Sequence, residues 1–89
     1  MKTQTRVVPA PRPLAGRVRQ LRADADELVE LALRLRDLAA SLRATRVAPP
    51  WLDKALAVQI MRCMSASSQL KLAARRLEEH SLTLRHEVH

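Results

Sequence analysis

The stretch RATRVAPPWLDKAL, residues 43–56, decides the fold of this chain. Pro49 and Pro50 stand side by side in it, and a proline pushes the residue before it out of the helical region of backbone space. Ala48 and Pro49 therefore end any helix arriving from the N-terminal side. Pro50, by contrast, suits the first turn of a new helix, where a backbone N–H has no intrahelical partner to lose. Asp53 follows in that same turn, its negative charge at the positive end of the helix dipole. One helix ends and another begins within about six residues, a connection that makes consecutive helices antiparallel neighbours.

N-terminal to the turn the apolar pattern is regular. Leu14, Val18, Leu21, Ala25, Leu28, Ala32, Leu35, Ala39 and Leu42 follow alternating steps of four and three, a heptad seam. Leu31 and Leu38 widen the stripe, as expected of a helix in a small bundle. Glu30 and Arg34 make an i,i+4 pair in the favourable orientation, worth roughly 0.3 kcal/mol. C-terminal to the turn a second seam runs through Leu56, Ile60, Cys63, Ser67, Leu70, Ala74, Leu77, Ser81, Leu84 and Val88. The Ser65–Ser68 stretch has poor helix propensity, yet the seam passes through it unbroken, so one helix is expected with a local weakness. Both seams alternate a large residue with a small one, which lets two backbones approach while leucines interdigitate.

The spacing predicts an all-α antiparallel two-helix hairpin: helix over about 14–45, turn over about 46–49, helix over about 50–86. In that hairpin, residues whose numbers add to about 95 lie side by side. Arg17, Arg19 and Arg22 then fall near Glu78, Glu79 and Glu87, while Arg43, Arg46 and Lys54 collect at the turn. Trp51, the lone aromatic residue, is expected to plug the turn end. Residues 1–13, MKTQTRVVPAPRP, are basic and proline-punctuated and read as a disordered tail.

Composition agrees with helix and limits function. The chain has 89 residues, room for one domain, and is 47% hydrophobic with one Gly and no Phe or Tyr. A chain this short buries a small fraction of its surface, so an extended hairpin is marginal alone. The single Cys63 cannot close an internal disulfide and reads as a small core residue. No apolar run is long enough for a signal peptide core or a membrane span, which predicts a cytoplasmic protein or one exported by a signal-independent route. His80, His86 and His89 are the imidazoles available to a metal, without the spacing of a metal motif. No catalytic residues, cofactor, metal site or small-molecule substrate are expected, and the reading is of a non-enzyme.

Two functional readings have features in the sequence, and a third, an accessory subunit of a larger assembly, has none that discriminates it. The net charge of +7 is local, because residues 1–23 hold six basic groups and no acid, while the other 66 hold ten basic and nine acidic groups. A nucleic-acid-associated or regulatory role would use this arm, with Lys2, Arg6, Arg12, Arg43 and Arg46 as phosphate contacts. The other reading is helix–helix association. Val29, Leu33, Ala40, Val58, Met61, Met64 and Leu72 are apolar positions outside the two seams, and with Trp51 they form a candidate partner interface.

A hairpin of about 90 residues with Trp51 at its interhelical turn resembles the WXG100 (ESX) family of type VII secretion substrates. The Arg/Ala/Leu-rich composition and the stretch AARRLEEHSLTLR, residues 73–85, are similar to high-GC actinobacterial members. The resemblance covers most of residues 14–88. Where the family has Trp-X-Gly this chain has Trp51-Leu52-Asp53, and the family's C-terminal Tyr-containing signal has no counterpart. What the resemblance implies is pairing, with a copy of itself or a related small helical protein, into a four-helix bundle.

Overall fold

A computed structural model of the chain describes residues 11–46 and 48–88, leaving aside the side chains of 11–13 and 85–88. Two α-helices, α1 (Pro11–Thr45) and α2 (Pro50–Val88), pack against each other as a hairpin. At 1.5 Å per residue they extend about 52 and 58 Å, far longer than a domain of this mass needs. α1 begins at Pro11, inside the stretch 1–13 that the composition marks as a tail. Pro11 and Pro13 both fall in the first turn, where missing N–H groups cost no intrahelical bond, so proline does not stop the helix there. Residues 1–10 lie outside the described residues. At the other end α2 continues to Val88, two residues past the expected limit.

Three contacts fix the register. The Ser67 hydroxyl donates to the Ala25 carbonyl oxygen at 2.8 Å, Arg22 donates to Glu78 at 2.8 Å and Arg43 donates to Asp53 at 2.6 Å. All three pairs lie near the diagonal on which residue numbers add to about 95, the hairpin register the loop length dictates. The Ser65–Ser68 stretch is helical throughout, and its buried serine is part of what joins the helices.

The turn is built from both of its helix ends. The Arg46 N–H donates to the Leu42 carbonyl at 3.1 Å with Arg46 in the left-handed region, φ 57°, and the Thr45 hydroxyl donates to the same carbonyl. This closes α1 with the left-handed cap usually given to glycine. The Leu52 N–H then donates to the Pro49 carbonyl at 3.0 Å as α2 starts. Arg43 sits at the negative end of the α1 dipole and Asp53 at the positive end of the α2 dipole, so each charge favours its own helix before the two pair.

The core lies along the small members of the seams. Val18, Ala25, Ala32, Ala39, Cys63, Ser67 and Ala74 are buried, whereas none of the fifteen leucines is. The reason is geometric. With Ala opposite Ala or Ser the backbones come close, and a seam between two helices is then only one residue wide. Leucines beside it pack along its edges, with one side left open. Trp51 is a correction of the same kind: it is 66% exposed and plugs nothing. Leu52, one turn before Leu56 on the same stripe, lines the turn-end cleft instead, and Trp51 is rotated about 100° away from it.

Candidate interaction surface

The seam positions give each helix a heptad frame. In α1 the buried Val18, Ala25, Ala32 and Ala39 occupy position a, and Leu14, Leu21, Leu28, Leu35 and Leu42 occupy d. In α2 position a holds Ile60, Ser67, Ala74 and Ser81, and d holds Leu56, Cys63, Leu70, Leu77 and Leu84. Arg22 and Glu78 are both at e, and their contact shows that the e positions of the two helices meet on one flank of the hairpin. On a helical wheel, d and g lie on the opposite side of a from e. The d and g residues of both helices therefore share the other flank.

That second flank is the candidate site. From residue 28 to 42 on α1, d and g are Leu28, Leu31, Leu35, Leu38 and Leu42 without interruption. On α2 from 52 to 77 they are Leu52, Leu56, Gln59, Cys63, Ala66, Leu70, Ala73 and Leu77, one polar residue in eight. Leu31 and Leu38 are 37% and 47% exposed, and Leu28, Leu35, Leu42, Leu52, Leu56, Leu70 and Leu77 are half-buried. No charged side chain occupies these positions. Charges flank the strip instead: Asp24, Glu27, Glu30 and Arg34 around Leu28 and Leu31 on α1, and Arg62 and Arg76 along α2.

The interface expected from the sequence lies on the first flank. Val29 is half-buried, and Leu33, Ala40, Trp51, Val58, Met61, Met64 and Leu72 are exposed. They hold positions e, b and f, where Arg22, Arg36, Lys71, Arg75 and Glu78 interrupt the apolar run. All eight are accessible, but the continuous apolar surface is the leucine flank. The heptad pattern places those d-position leucines inside the hairpin, and the structure places them at its edge. The signal that finds them is the alternation itself, since a small residue at most a positions leaves the neighbouring leucines at the edge of the contact.

The ends of the hairpin are charged. A cleft of about 610 Å³ at the turn end is lined by apolar residues including Leu42, Leu52 and Leu56, together with Arg43, Arg46, Lys54 and Asp53. The basic cluster expected at the turn is thus present, with Arg43 engaged by Asp53. At the other end Arg22 and Glu78 share their pair in solvent. The hydrogen bond from Arg22, reinforced by its charge, holds the Glu78 carboxyl below the usual carboxylate range, and the same bond raises Arg22. Glu30 and Arg34 do not close the expected contact, since a bond worth only tenths of a kcal/mol does not fix two solvated side chains (~0.3 kcal/mol). Of the candidate phosphate contacts, Lys2 and Arg6 lie outside the described residues, as does the Arg12 side chain, and Arg46 is exposed. His89 and the side chains of His86 and Glu87 lie outside them too.

Among the described residues no three His, Cys, Asp or Glu side chains gather as a metal site, and no helix is long and apolar enough to cross a membrane. No family model, curated protein or solved structure matches the chain.

Proposed function

We propose that the protein is a non-enzymatic helical interaction module, which docks its leucine flank on a copy of itself or a related helical chain to complete a four-helix bundle. The observation that carries this reading is that no leucine of a leucine-rich hairpin is buried within the hairpin. An uncharged apolar strip along both helices is the surface that a second helical pair covers. Covering each half-open leucine contributes about 1 kcal/mol, and the strip offers several per chain. The likeness of the Trp51 turn to WXG100 hairpins supports the same reading and extends it to export by the type VII route.

The test uses light scattering with far-UV circular dichroism on the full chain. The expected result is either a dimer, or a partly helical chain that becomes fully helical when its partner is supplied. Leu31→Lys with Leu38→Lys, two positions the hairpin already exposes, should abolish association. A fully helical, cooperatively unfolding monomer at micromolar concentration, unaffected by those substitutions, would overturn the reading.

A further inference from the structure

We propose that the first flank, away from the leucines, is a docking groove for an acidic amphipathic helix of another protein, held by two basic clusters with an apolar patch between them. This surface is separate from the leucine flank, so it goes beyond the pairing reading and does not depend on it.

The groove runs between the e and b positions of the two helices. From residue 15 to 82 these positions hold seven basic and two acidic residues. Glu78, one of the acids, is taken by Arg22, and Arg43 is engaged by Asp53 from the turn. Arg19, Arg36, Lys54, Lys71 and Arg75 are exposed, and among the described residues none has a carboxylate in contact. The acids Glu30, Asp37 and Glu79 stand at f, which the helical wheel turns about 40° further from the groove than b.

The hairpin register sorts these charges along the axis. Lys71 and Arg75 fall level with about residues 24 and 20 of α1, beside Arg19 and Arg22. Lys54 falls level with about residue 41, near Arg36 and Arg43. The two clusters are thus about 25 Å apart, the rise of some 17 helical residues. Midway between them the e and b positions are apolar on both helices, with Asp26 and Ser68 at the edge of the patch. Val29 and Leu33 of α1 lie at the level of Met64 and Met61 of α2, and Met61 is 71% exposed.

This order of charge, apolar patch and charge states the chemistry of the occupant. A helix with acids toward both ends and apolar residues at i, i+3, i+4 and i+7 in its middle turns matches the groove. Unbranched, polarizable methionines suit such a contact because they adapt to the side chains laid on them. A second copy presenting the same face is repelled by like charge. A nucleic-acid backbone would satisfy the two clusters but leave the central patch in water.

The probe is a synthetic peptide of about 20 residues, long enough to span both clusters as a helix, with glutamates in its outer turns and leucines at the central apolar positions. Added to the full chain and followed by fluorescence anisotropy, it should bind saturably and more weakly as salt rises. The methyl resonances of Met61 and Met64 should shift on its addition, a readout that needs no variant. Arg36→Glu with Lys71→Glu should weaken binding about tenfold, and circular dichroism checks that this exposed pair of changes leaves the helices intact. No binding at low salt, or methionine methyls that do not move, would overturn the proposal. So would equal affinity for a control peptide with serine in place of each leucine, since attraction would then be charge alone. Duplex DNA that binds more tightly and displaces the peptide would overturn it in favour of a phosphate-binding face.

Discussion

Ser67 of α2 donates its hydroxyl proton to the backbone carbonyl of Ala25 on α1, across 2.8 Å and with both residues buried. This joins the helices at a level where small residues from both are almost fully buried. A carbonyl oxygen has two lone pairs, so Ala25 can accept from Ser67 while remaining in its own helix ladder. The contact also fixes position along the axis, which a row of leucines does less well, since one layer of leucines resembles the next.

Replacing Ser67 by Ala should therefore cost about 1 kcal/mol, the net worth of a buried neutral hydrogen bond. Replacing Ala25 by Leu should cost more, about 1–3 kcal/mol, because it forces a large side chain between close-packed backbones. Urea unfolding at a fixed protein concentration measures both. A Ser67→Ala variant as stable as the parent would mean that the bond does not hold the seam.

The Arg22–Glu78 pair predicts a small acid dependence. Glu78 titrates lower in the folded protein than in the unfolded chain. Its stabilisation is thus present above the ordinary carboxylate range and is lost as pH falls through the depressed folded value. At neutral pH Glu78→Gln should be slightly less stable than the parent, and the two thermal midpoints should converge as pH falls through the depressed folded value. Both side chains are well exposed, so added salt should shrink the neutral-pH gap. A gap that persists unchanged into acid would assign the effect to something other than this pair.

Arg46 occupies the left-handed region that glycine enters freely, with φ 57°. Arg46→Gly should relieve that strain and raise stability by about 0.5–1 kcal/mol, after allowing for the greater freedom of glycine in the unfolded chain. Chemical denaturation checks the sign. A loss of stability instead would show that the Arg46 side chain makes a contribution at the turn-end cleft larger than its backbone cost.

Trp51, at 66% exposure, should emit as a hydrated indole and be quenched by acrylamide almost as readily as the free amino acid. Trp51→Ala should leave the thermal midpoint within a degree or two, in contrast to the loss expected of a buried aromatic residue. A blue-shifted, protected tryptophan in the assembled protein would show instead that the partner covers the first flank at the turn end, a surface distinct from the leucine flank.

The candidate surface was only partly legible before the fold was known. Val29, Leu33 and Met61 were identified as apolar residues without an intramolecular role, and they are accessible. Leu35 and Leu70 belong to the seams by their spacing, yet they form the edge of the larger surface. A heptad pattern states which residues lean toward the neighbouring helix, but not how wide the contact is. That width depends on how closely the backbones approach, and alanine and serine at position a decide it.

Sequence by itself determined the two helices, the turn between them and their register. Each follows from local rules: the period of the apolar residues, the backbone limits imposed by Pro49 and Pro50, and a loop too short for any neighbour but an antiparallel one. The placing of Arg43 and Asp53 at the turn belongs here too, whereas their pairing is a finding of the structure. Only the tertiary structure decided which seam residues are buried, that Ser67 bonds Ala25, that Arg46 takes the glycine-like cap and that Trp51 faces solvent. These depend on the distance and rotation between two helix axes. Those quantities are settled by how Ala25, Ala32, Ser67 and Ala74 fit against one another, and this close fit leaves the leucines partly exposed.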